Sequence, residues 1–379
     1  SAARGAARGV PAVRKKGAVG GPTPAHARLL ATLKGFKESV TAAALSQDGA
    51  LAVGASSDRT VRVFCGLAAH VEHGEPLPHP LIANVPLDHA SACSLSASGR
   101  NAVVAGSQTR QVLAYTITPP GAKGAKPSVQ LKRSFPPPPG AHSAPLAAAI
   151  LAPNSKYIVT VGGEGDSSVK LWTTGGELVA SVANKQHAQF DASVSADSLL
   201  VAVAAASAPP GRAVAPRHGQ VSVYEVGYAG ERPASLSPAF TLGGHTRGVH
   251  SVSFAHDCVH VALGSADGEW SVVAARPQRE PREHARGKAP GAPFERVALS
   301  PFATRLVGAA AAEIAIVDVA AAAAGGRGSS FSLVERVPTG HGRVTSLCFS
   351  FDGTCALSGG EDGRLRLWRV EESSRAGTV

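Results

Sequence analysis

One pattern recurs along this chain and restricts the folds that the chain can adopt. Its clearest copy, "TGHGRVTSLCFSFDGTCALSGGEDGRLRLWRV", covers residues 339–370 and reads as Gly-His, a strand, a turn at Asp352, a strand, a turn at Asp362 and a strand with Trp368. Three further copies keep the same frame, at residues 34–64, 142–172 and 243–273. One such unit cannot bury its apolar face alone, so the pattern predicts that the copies stack on one another.

A fixed step of six residues joins the second turn of each unit to the end of its last strand. The clear copies show this step at Asp58 to Phe64, Asp166 to Trp172, Asp267 to Val273 and Asp362 to Trp368. Weaker copies lie at Thr109 to Tyr115, His218 to Tyr224 and residues 296–319, which makes seven units of about 51 residues with Pro- and Gly-rich inserts at 118–128, 205–219 and 274–293. Short apolar or alternating runs between turn residues indicate strands of about 4–8 residues, so the sequence predicts an all-β fold.

Composition excludes several classes of protein. Apolar residues are 44% and charged residues 17% of the 379 residues, which excludes wholesale disorder. No apolar run reaches the roughly 18 residues of a membrane-spanning helix. The sequence contains no Met, so we expect that it was processed or cut upstream, which leaves the loss of an N-terminal anchor open.

The net charge of +10 is concentrated at the start of the chain. No acidic residue precedes Glu38, and eight basic residues do: Arg4, Arg8, Arg14, Lys15, Lys16, Arg28, Lys34 and Lys37. Such a segment is typical of a solvated linker, and it also suits contact with anionic lipid or RNA phosphates, for which Arg14, Lys15 and Lys16 are the candidates. Its Ala and Arg content leaves an organelle presequence open as a third interpretation.

The sequence offers no pattern for catalysis, metal binding or cofactor binding. Its five cysteines lack C-x-x-C spacing and paired histidines, so we expect reduced, inert thiols: Cys65, Cys93, Cys258, Cys348 and Cys355. P-loop, G-x-S-x-G and H-E-x-x-H motifs are absent from the sequence. We therefore predict no catalytic residue, no metal ligand and no cofactor.

The recurring His, Asp and Trp suit a structural role better than a chemical one. An Asp in a tight turn accepts backbone N–H groups, and a His in the preceding loop and a Trp can complete a buried hydrogen-bond network through a strand Ser. The one full set is His341, Ser358, Asp362 and Trp368. Incomplete sets are His142, Asp166 and Trp172, with Gly162 at the Ser position; His245 and Asp267, with Leu263 and Val273; and Asp58, with Phe36 at the His position.

Two further segments carry excess positive charge. They are residues 119–133, with Lys123, Lys126, Lys132 and Arg133, and residues 274–288, with Arg276, Arg279, Arg282, Arg286 and Lys288. Their Pro and Gly content predicts exposed loops between units. We expect these loops either to serve solubility or to contact phosphates or an acidic partner, and the lack of interleaved aromatic residues argues against base stacking.

The whole arrangement resembles the WD-repeat β-propeller family. The resemblance implies a ring of seven four-stranded blades around a channel, closed by an N-terminal strand that pairs with the last blade. "RLLATL", residues 28–33, is the candidate for that strand, because it matches residues 332–337 before the last Gly-His. The expected division is a basic flexible linker at residues 1–27, the propeller at residues 28–370 and a C-terminal tail at residues 371–379.

Longer stretches are similar to the transducin beta-like family of WD-repeat proteins. They are residues 26–64, 83–99, 239–270 and 295–318. This resemblance implies a membrane helix, a basic linker and a cytosolic propeller at the endoplasmic reticulum, with a stress-response kinase as partner and a link to translational control. The chain has the linker and the propeller but no hydrophobic anchor, so the membrane would be reached only through a segment that this sequence lacks.

The predicted function is a non-enzymatic scaffold that binds protein partners through its loops. The alternative is an RNA- or ribosome-associated propeller that uses the basic tail and loops, and a propeller enzyme would need unpaired acidic or histidine residues in the channel. The expected location is the cytosolic face of the endoplasmic reticulum or the cytoplasm, with organelle import left open.

Overall fold

Seven antiparallel sheets of four strands each surround a central channel. The computed structural model describes residues 27–370 except residues 87, 121–125, 136–141, 185–187, 208–217, 277–278, 321–322 and 324–332. The predicted all-β, seven-bladed architecture is confirmed. The predicted tails are residues 1–27 and 371–379; residues 1–26 and 371–379 lie outside the described residues, and Ala27 is the first residue of a strand.

The N-terminal strand β1 (Ala27–Leu33) is the outermost strand of the last blade. From the channel outward, the strands are β2 (Val40–Leu45), β3 (Ala52–Ser56), β4 (Thr60–Phe64) and β5 (Leu81–Asn84) in blade I; β6 (Ala90–Leu95), β7 (Asn101–Gly106), β8 (Val112–Thr118) and β9 (Ser128–Phe135) in blade II; β10 (Leu146–Leu151), β11 (Tyr157–Gly162), β12 (Ser168–Thr173) and β13 (Leu178–Ala183) in blade III; β14 (Ala188–Val194), β15 (Leu200–Ser207), β16 (His218–Ala229) and β17 (Arg232–His245) in blade IV; β18 (Val249–Phe254), β19 (His260–Ser265), β20 (Glu269–Ala274) and β21 (Arg282–Lys288) in blade V; β22 (Arg296–Leu299), β23 (Arg305–Ala310), β24 (Glu313–Asp318) and β25 (Leu333–Pro338) in blade VI; and β26 (Val344–Phe349), β27 (Cys355–Gly360) and β28 (Leu365–Val370), followed by β1, in blade VII.

The first strand closes the ring, as the sequence predicts. β1 pairs antiparallel with β28, with Ala27 opposite Val370 and Leu33 opposite Leu365. The backbone N–H of Ala27 donates a hydrogen bond to Glu335 of blade VI at 2.9 Å. β1 therefore joins the two ends of the described chain in one sheet. This closure removes the free edges that an open arrangement of sheets would expose.

The propeller has two faces. We call the lower face the one that carries the turns between the first and second strands of each blade, and the upper face the one that carries the turns between the second and third strands. The innermost strands contact one another around the ring, and side chains of adjacent blades form the apolar core between sheets. The largest fully buried side chains in that core include Trp270, Tyr115, Tyr157 and Phe294.

Six of the seven innermost strands contain a β-bulge near the upper face. The residues at the bulges are Thr41, Ser91, Ala147, Phe190, His250 and Thr345, and all of them except His250 line the channel. Phe190 and His250 stack edge to face, with ring centroids 5.0 Å apart. A bulge redirects a side chain locally, so the bulged positions combine small residues with one aromatic pair.

The expectation that the basic segments 119–133 and 274–288 are loops is wrong for part of each segment. The outermost strand β9 begins within the first segment, and the outermost strand β21 lies within the second. The sequence also gave no indication of helix α1 (Leu67–His73), which lies between β4 and β5 on the lower face. The helix is bounded by Gly66 and Gly74, whose φ angles of 74° and 70° suit glycine, and it is anchored by the fully buried Leu67.

Candidate functional site

Blade VII contains a continuous network of buried side-chain hydrogen bonds. Trp368 Nε1–H donates to Ser358 Oγ at 2.9 Å, and Ser358 Oγ lies 3.0 Å from His341 Nε2. In the Nδ1–H tautomer, His341 donates to Asp362 Oδ1 at 2.6 Å. The guanidinium of Arg366 donates to the other carboxylate oxygen of Asp362 at 2.8 Å. Each polar group therefore has a partner, which binds the turn before β28 to the loop before β26.

Blade III has the same network, with Thr in place of Ser. Thr160 Oγ1 accepts from Trp172 Nε1–H at 2.8 Å and lies 2.8 Å from His142 Nε2. His142 Nδ1 lies 3.0 Å from Asp166 Oδ2. The interpretation that Gly162 occupies the Ser position is wrong, because Thr160 holds the place in β11 that Ser358 holds in β27.

Blade V keeps the His–Asp pair but obtains its hydroxyl from a different strand. His245 Nδ1 lies 3.2 Å from Asp267 Oδ2, and His245 Nε2 lies 3.0 Å from Ser271 Oγ. Ser271, which the repeat pattern did not indicate, is fully buried in β20. The hydroxyl of Ser271 supplies the hydrogen bond that Leu263 in β19 cannot provide.

Blades I and VI have an aromatic ring in place of the histidine and a glycine in place of the strand serine of blade VII. A Cβ atom on Gly54 would lie 2.7 Å from the ring of Phe36, and one on Gly308 would lie 2.4 Å from the ring of Phe294. The ring therefore fills the space that His and Ser share in blade VII, and only a glycine fits beside it. In blade I the guanidinium of Arg62 lies 5.3 Å from the centroid of Phe36, a cation–π distance.

The turn aspartates remain in use even where the histidine is lost. Asp58 in blade I accepts the N–H of Lys37 at 2.8 Å and of Thr60 at 2.9 Å. In blade II the acid comes from the loop instead: Asp88, 2% exposed, accepts the N–H of Thr109 at 2.8 Å. The repeat positions therefore show where the turn needs an acceptor, and they leave open which side of the turn supplies it.

Burial keeps the network histidines neutral. It is the largest effect on the pKa of His142, His245 and His341 and lowers all three, against the opposing charge of the paired aspartates. Burial also acts to raise the pKa of Asp166, but hydrogen bonds from Ser168 and Ser143 outweigh it and lower that pKa to about 2. The result is a neutral imidazole beside an ionised carboxylate in which both groups are fully engaged in holding a turn.

One of these sets also resembles a metal site by distance alone. Ligand atoms of His245, Asp267 and Glu269 lie within 4.8 Å of one another. The guanidinium of Arg286 already contacts this group, at 2.9 Å from Glu269 Oε2, and it also lies 2.7 Å from Glu283. Arg286 is thus an internal ion-pair partner, which corrects the expectation that it is an exposed phosphate contact.

The central channel has a volume of about 530 Å³ and is lined mainly by small side chains. Among its described lining residues there is one carboxylate, Asp191. It accepts hydrogen bonds from Ser251 Oγ at 2.8 Å, Val252 N–H at 3.1 Å and Ala192 N–H at 2.9 Å. Burial raises the pKa of Asp191, and Arg296 acts in the opposite direction. Asp191 therefore links blades IV and V, and the described lining brings no group of unpaired acids together.

The structure does not bring the basic candidates together on one surface. Lys126 precedes β9 on blade II, whereas Arg276, Arg279, Arg282 and Lys288 are exposed on blade V. Blades III and IV lie between them in one direction around the ring, and blades VI, VII and I in the other. Arg14, Lys15, Lys16 and Lys123 lie outside the described residues. Within the described ranges, no helix has the length and apolar character needed to cross a membrane.

The lower face carries exposed aromatic side chains that sequence reasoning missed. In the turn between the first two strands, six blades place a polar residue at the third position: Asp48, Ser98, Asn154, Asp197, Asp257 and Asp352. The Asp and Asn side chains accept the N–H two residues ahead at 2.8–3.0 Å. Blade VI has Phe302 there instead, 73% exposed. The equivalent turn of the neighbouring blade VII carries Phe351, which is 42% exposed and stacks on His256 of blade V, with centroids 4.7 Å apart.

The sequence profile of the WD domain, G-beta repeat, matches residues 27–65, 236–272 and 333–369. Together with the seven four-stranded blades, these matches show that the chain is a seven-bladed β-propeller with WD40 repeats. It is 28% identical to transducin beta-like protein 2 of Homo sapiens over 366 residues, which are 93% of this chain and 74% of the relative. It is also 28% identical to the protein of that name from Mus musculus over 252 residues, which are 65% of this chain and 51% of the relative. The resemblance of the sequence to WD-repeat propellers and to transducin beta-like proteins is thus confirmed.

Proposed function

We propose that this propeller is a non-enzymatic scaffold that binds protein partners through its loops and lower face. WD40 propellers are in general interaction scaffolds, and the polar residues that recur here hold turns together. The proposal takes residues 28–370 as the binding domain and residues 1–27 and 371–379 as its tails.

Phe302 is the observation that carries the proposal. Six equivalent turns use a polar residue at its position, whereas blade VI exposes a large aromatic side chain there and takes its turn acceptor from Ser300, whose Oγ accepts the N–H of Thr304 at 3.1 Å. Large exposed apolar groups that lie together mark interaction surfaces, and aromatic side chains dominate the binding energy of protein interfaces. Phe302, Phe351 and His256 define this candidate surface, which we call the aromatic patch.

The aromatic patch can be tested by comparing quantitative affinity capture with three baits. The chain with Phe302→Asp and Phe351→Ser should lose partners that the unchanged chain retains. A chain with Leu178→Ser is the matched control, because Leu178 is 41% exposed on the outermost strand of blade III, away from the patch. Equal capture by all three baits would exclude the aromatic patch as the partner surface.

A finer proposal concerns the partner and its location. The likeness to transducin beta-like protein 2 motivates a stress-response kinase as partner, a role in translational control, and residence at the cytosolic face of the endoplasmic reticulum. Purified chain and the cytosolic domain of such a kinase should form a complex that the Phe302→Asp variant weakens. Absence of binding between the purified proteins would refute this partner while leaving the scaffold proposal intact.

RNA or ribosome association is the alternative. It rests on the basic tail and the cations of blades II and V, which lie on separate parts of the ring. If these cations bind phosphates, RNA affinity should fall steeply with salt, since each neutralised phosphate releases counterions. A titration that finds no RNA affinity even at low salt excludes this alternative.

A further inference from the structure

A groove crosses the lower face between helix α1 of blade I and the sheet of blade VII. Its volume is about 570 Å³. Its apolar walls come from Leu45, Ala68, Val71, Leu367 and Val370. Its charged lining residues are Asp48, Glu72, Asp352 and Arg369, an excess of two negative charges. The groove therefore suits an apolar group flanked by cations.

The Asp352 carboxylate is ionised at neutral pH, and both Asp352 and Glu72 line the groove. Burial acts to raise the pKa of Asp352, but hydrogen bonds from Ser350 and Thr354 outweigh it, so the pKa lies below the ordinary 3.8. The side chain of Glu72 is 68% exposed on α1. A cation can approach both groups from solvent.

The start of β1 adjoins this groove. Ala27 pairs with Val370, which lines the groove, and paired residues of antiparallel strands lie about 4.5–5.5 Å apart. The sequence before Ala27 therefore joins the propeller beside the groove. Ten residues separate Lys16 from Ala27, a length that spans up to about 35 Å when extended.

The sequence before Ala27 has the complementary chemistry. Residues 1–26 contain five cations and no acid; Val13 directly precedes the Arg14–Lys16 cluster, and Val10 lies three residues before Val13. We propose that the groove between α1 and blade VII binds residues 8–16 of the same chain, with the valines at its walls and the cations at its carboxylates. A tethered segment needs little intrinsic affinity, because a short linker raises its effective concentration to the order of mM.

Docking of the basic segment in the groove would have a functional consequence. The groove and any anionic lipid or RNA surface would compete for Arg14, Lys15 and Lys16. Occupation of the groove would withhold the basic segment from phosphates, and an acidic ligand or a groove-binding partner would release it.

Photo-crosslinking of the full chain tests the proposal. With benzoylphenylalanine in place of Val13, irradiation at low salt should give crosslinks to α1 or to residues 350–355. Neutralising the rim with Asp352→Asn and Glu72→Gln should reduce their yield about three- to fivefold, since two surface ion pairs are lost. Asn retains the turn acceptor, as Asn154 does in blade III.

The matched control is Asp197→Asn with Glu231→Gln. Asp197 has the same turn position in blade IV, and Glu231 is an exposed acid on the same face, so the crosslink yield should be unchanged. Mixing isotopically heavy and light chains separates contacts within one chain from contacts between copies. Crosslinks to other surfaces, crosslinks between heavy and light chains, or a yield unaffected by the rim variant would each overturn the proposal.

Discussion

At the scale of single residues, equivalent positions in the blades satisfy the same packing requirement with different side chains. Blade VII uses His341 and Ser358, blade III uses Thr160 for the hydroxyl, and blade VI uses Phe294 beside a glycine. Buried polar groups require partners, so a hydroxyl lost at one position is supplied from another, as Ser271 supplies it to His245 in blade V. Sequence spacing located the aspartates of this network, but the hydroxyl partners depend on strand pairing, which explains why Thr160 and Ser271 were missed.

The role of Thr160 can be measured by comparing two substitutions. Thr160→Val keeps the shape but leaves His142 Nε2 and Trp172 Nε1 without the partner that both have at 2.8 Å. We expect a loss of about 1–3 kcal/mol in the free energy of unfolding, which is the cost of unsatisfied buried groups. Thr160→Ser retains the hydroxyl and should cost less. Equal losses for the two variants in urea denaturation would show that the hydrogen bonds do not matter.

At the scale of elements, the strands that face the core were predictable and the outermost elements were not. The turn spacing located the inner three strands of most blades and the closing strand β1, because buried strands carry short apolar runs bounded by turn residues. Five of the eight residues of strand β9 are exposed, including Lys132 and Arg133, so its pattern resembles that of a loop. The strand is defined mainly by backbone pairing with β8, and its one buried residue is Phe135 at its end.

Helix α1 is a second outer element that the sequence pattern did not predict. Its seven residues hold one fully buried side chain, Leu67, which packs in a cluster with Phe36 and Phe64. Leu67→Ala should lower the free energy of unfolding by about 2–5 kcal/mol through lost burial and a residual cavity. Ile82→Ala is the control, because Ile82 is 52% exposed on β5, and its effect should be close to zero. A small loss at Leu67 in chemical denaturation would mean that α1 is not anchored by the core.

At the scale of the whole molecule, closure makes the blades interdependent. Blade VII takes its outermost strand from the start of the described chain, and Asp191 and Ser251 bond the innermost strands of blades IV, V and VI to one another. Because the ring closes through the pairing of β1 with β28, a loss of stability in one blade acts on the whole ring. Properties shared by several blades, such as their buried histidines, should consequently appear in the stability of the entire propeller.

The pH dependence of unfolding tests this shared behaviour. Six histidines have a pKa lowered by burial below the ordinary 6.5: His142, His245, His250, His256, His284 and His341. Between that value and the lower folded pKa values, the unfolded chain binds more protons than the folded chain, so the free energy of unfolding must fall as pH decreases.

We expect urea midpoints to be nearly constant from pH 8 to 7 and to decline from about pH 6.5 downward, with a further loss below about pH 4 where the turn aspartates protonate. His341→Gln should reduce the steepness of the first decline while lowering stability at pH 8. A midpoint that stays constant or rises between pH 6.5 and 5 would show that these imidazoles are not held neutral in the folded propeller.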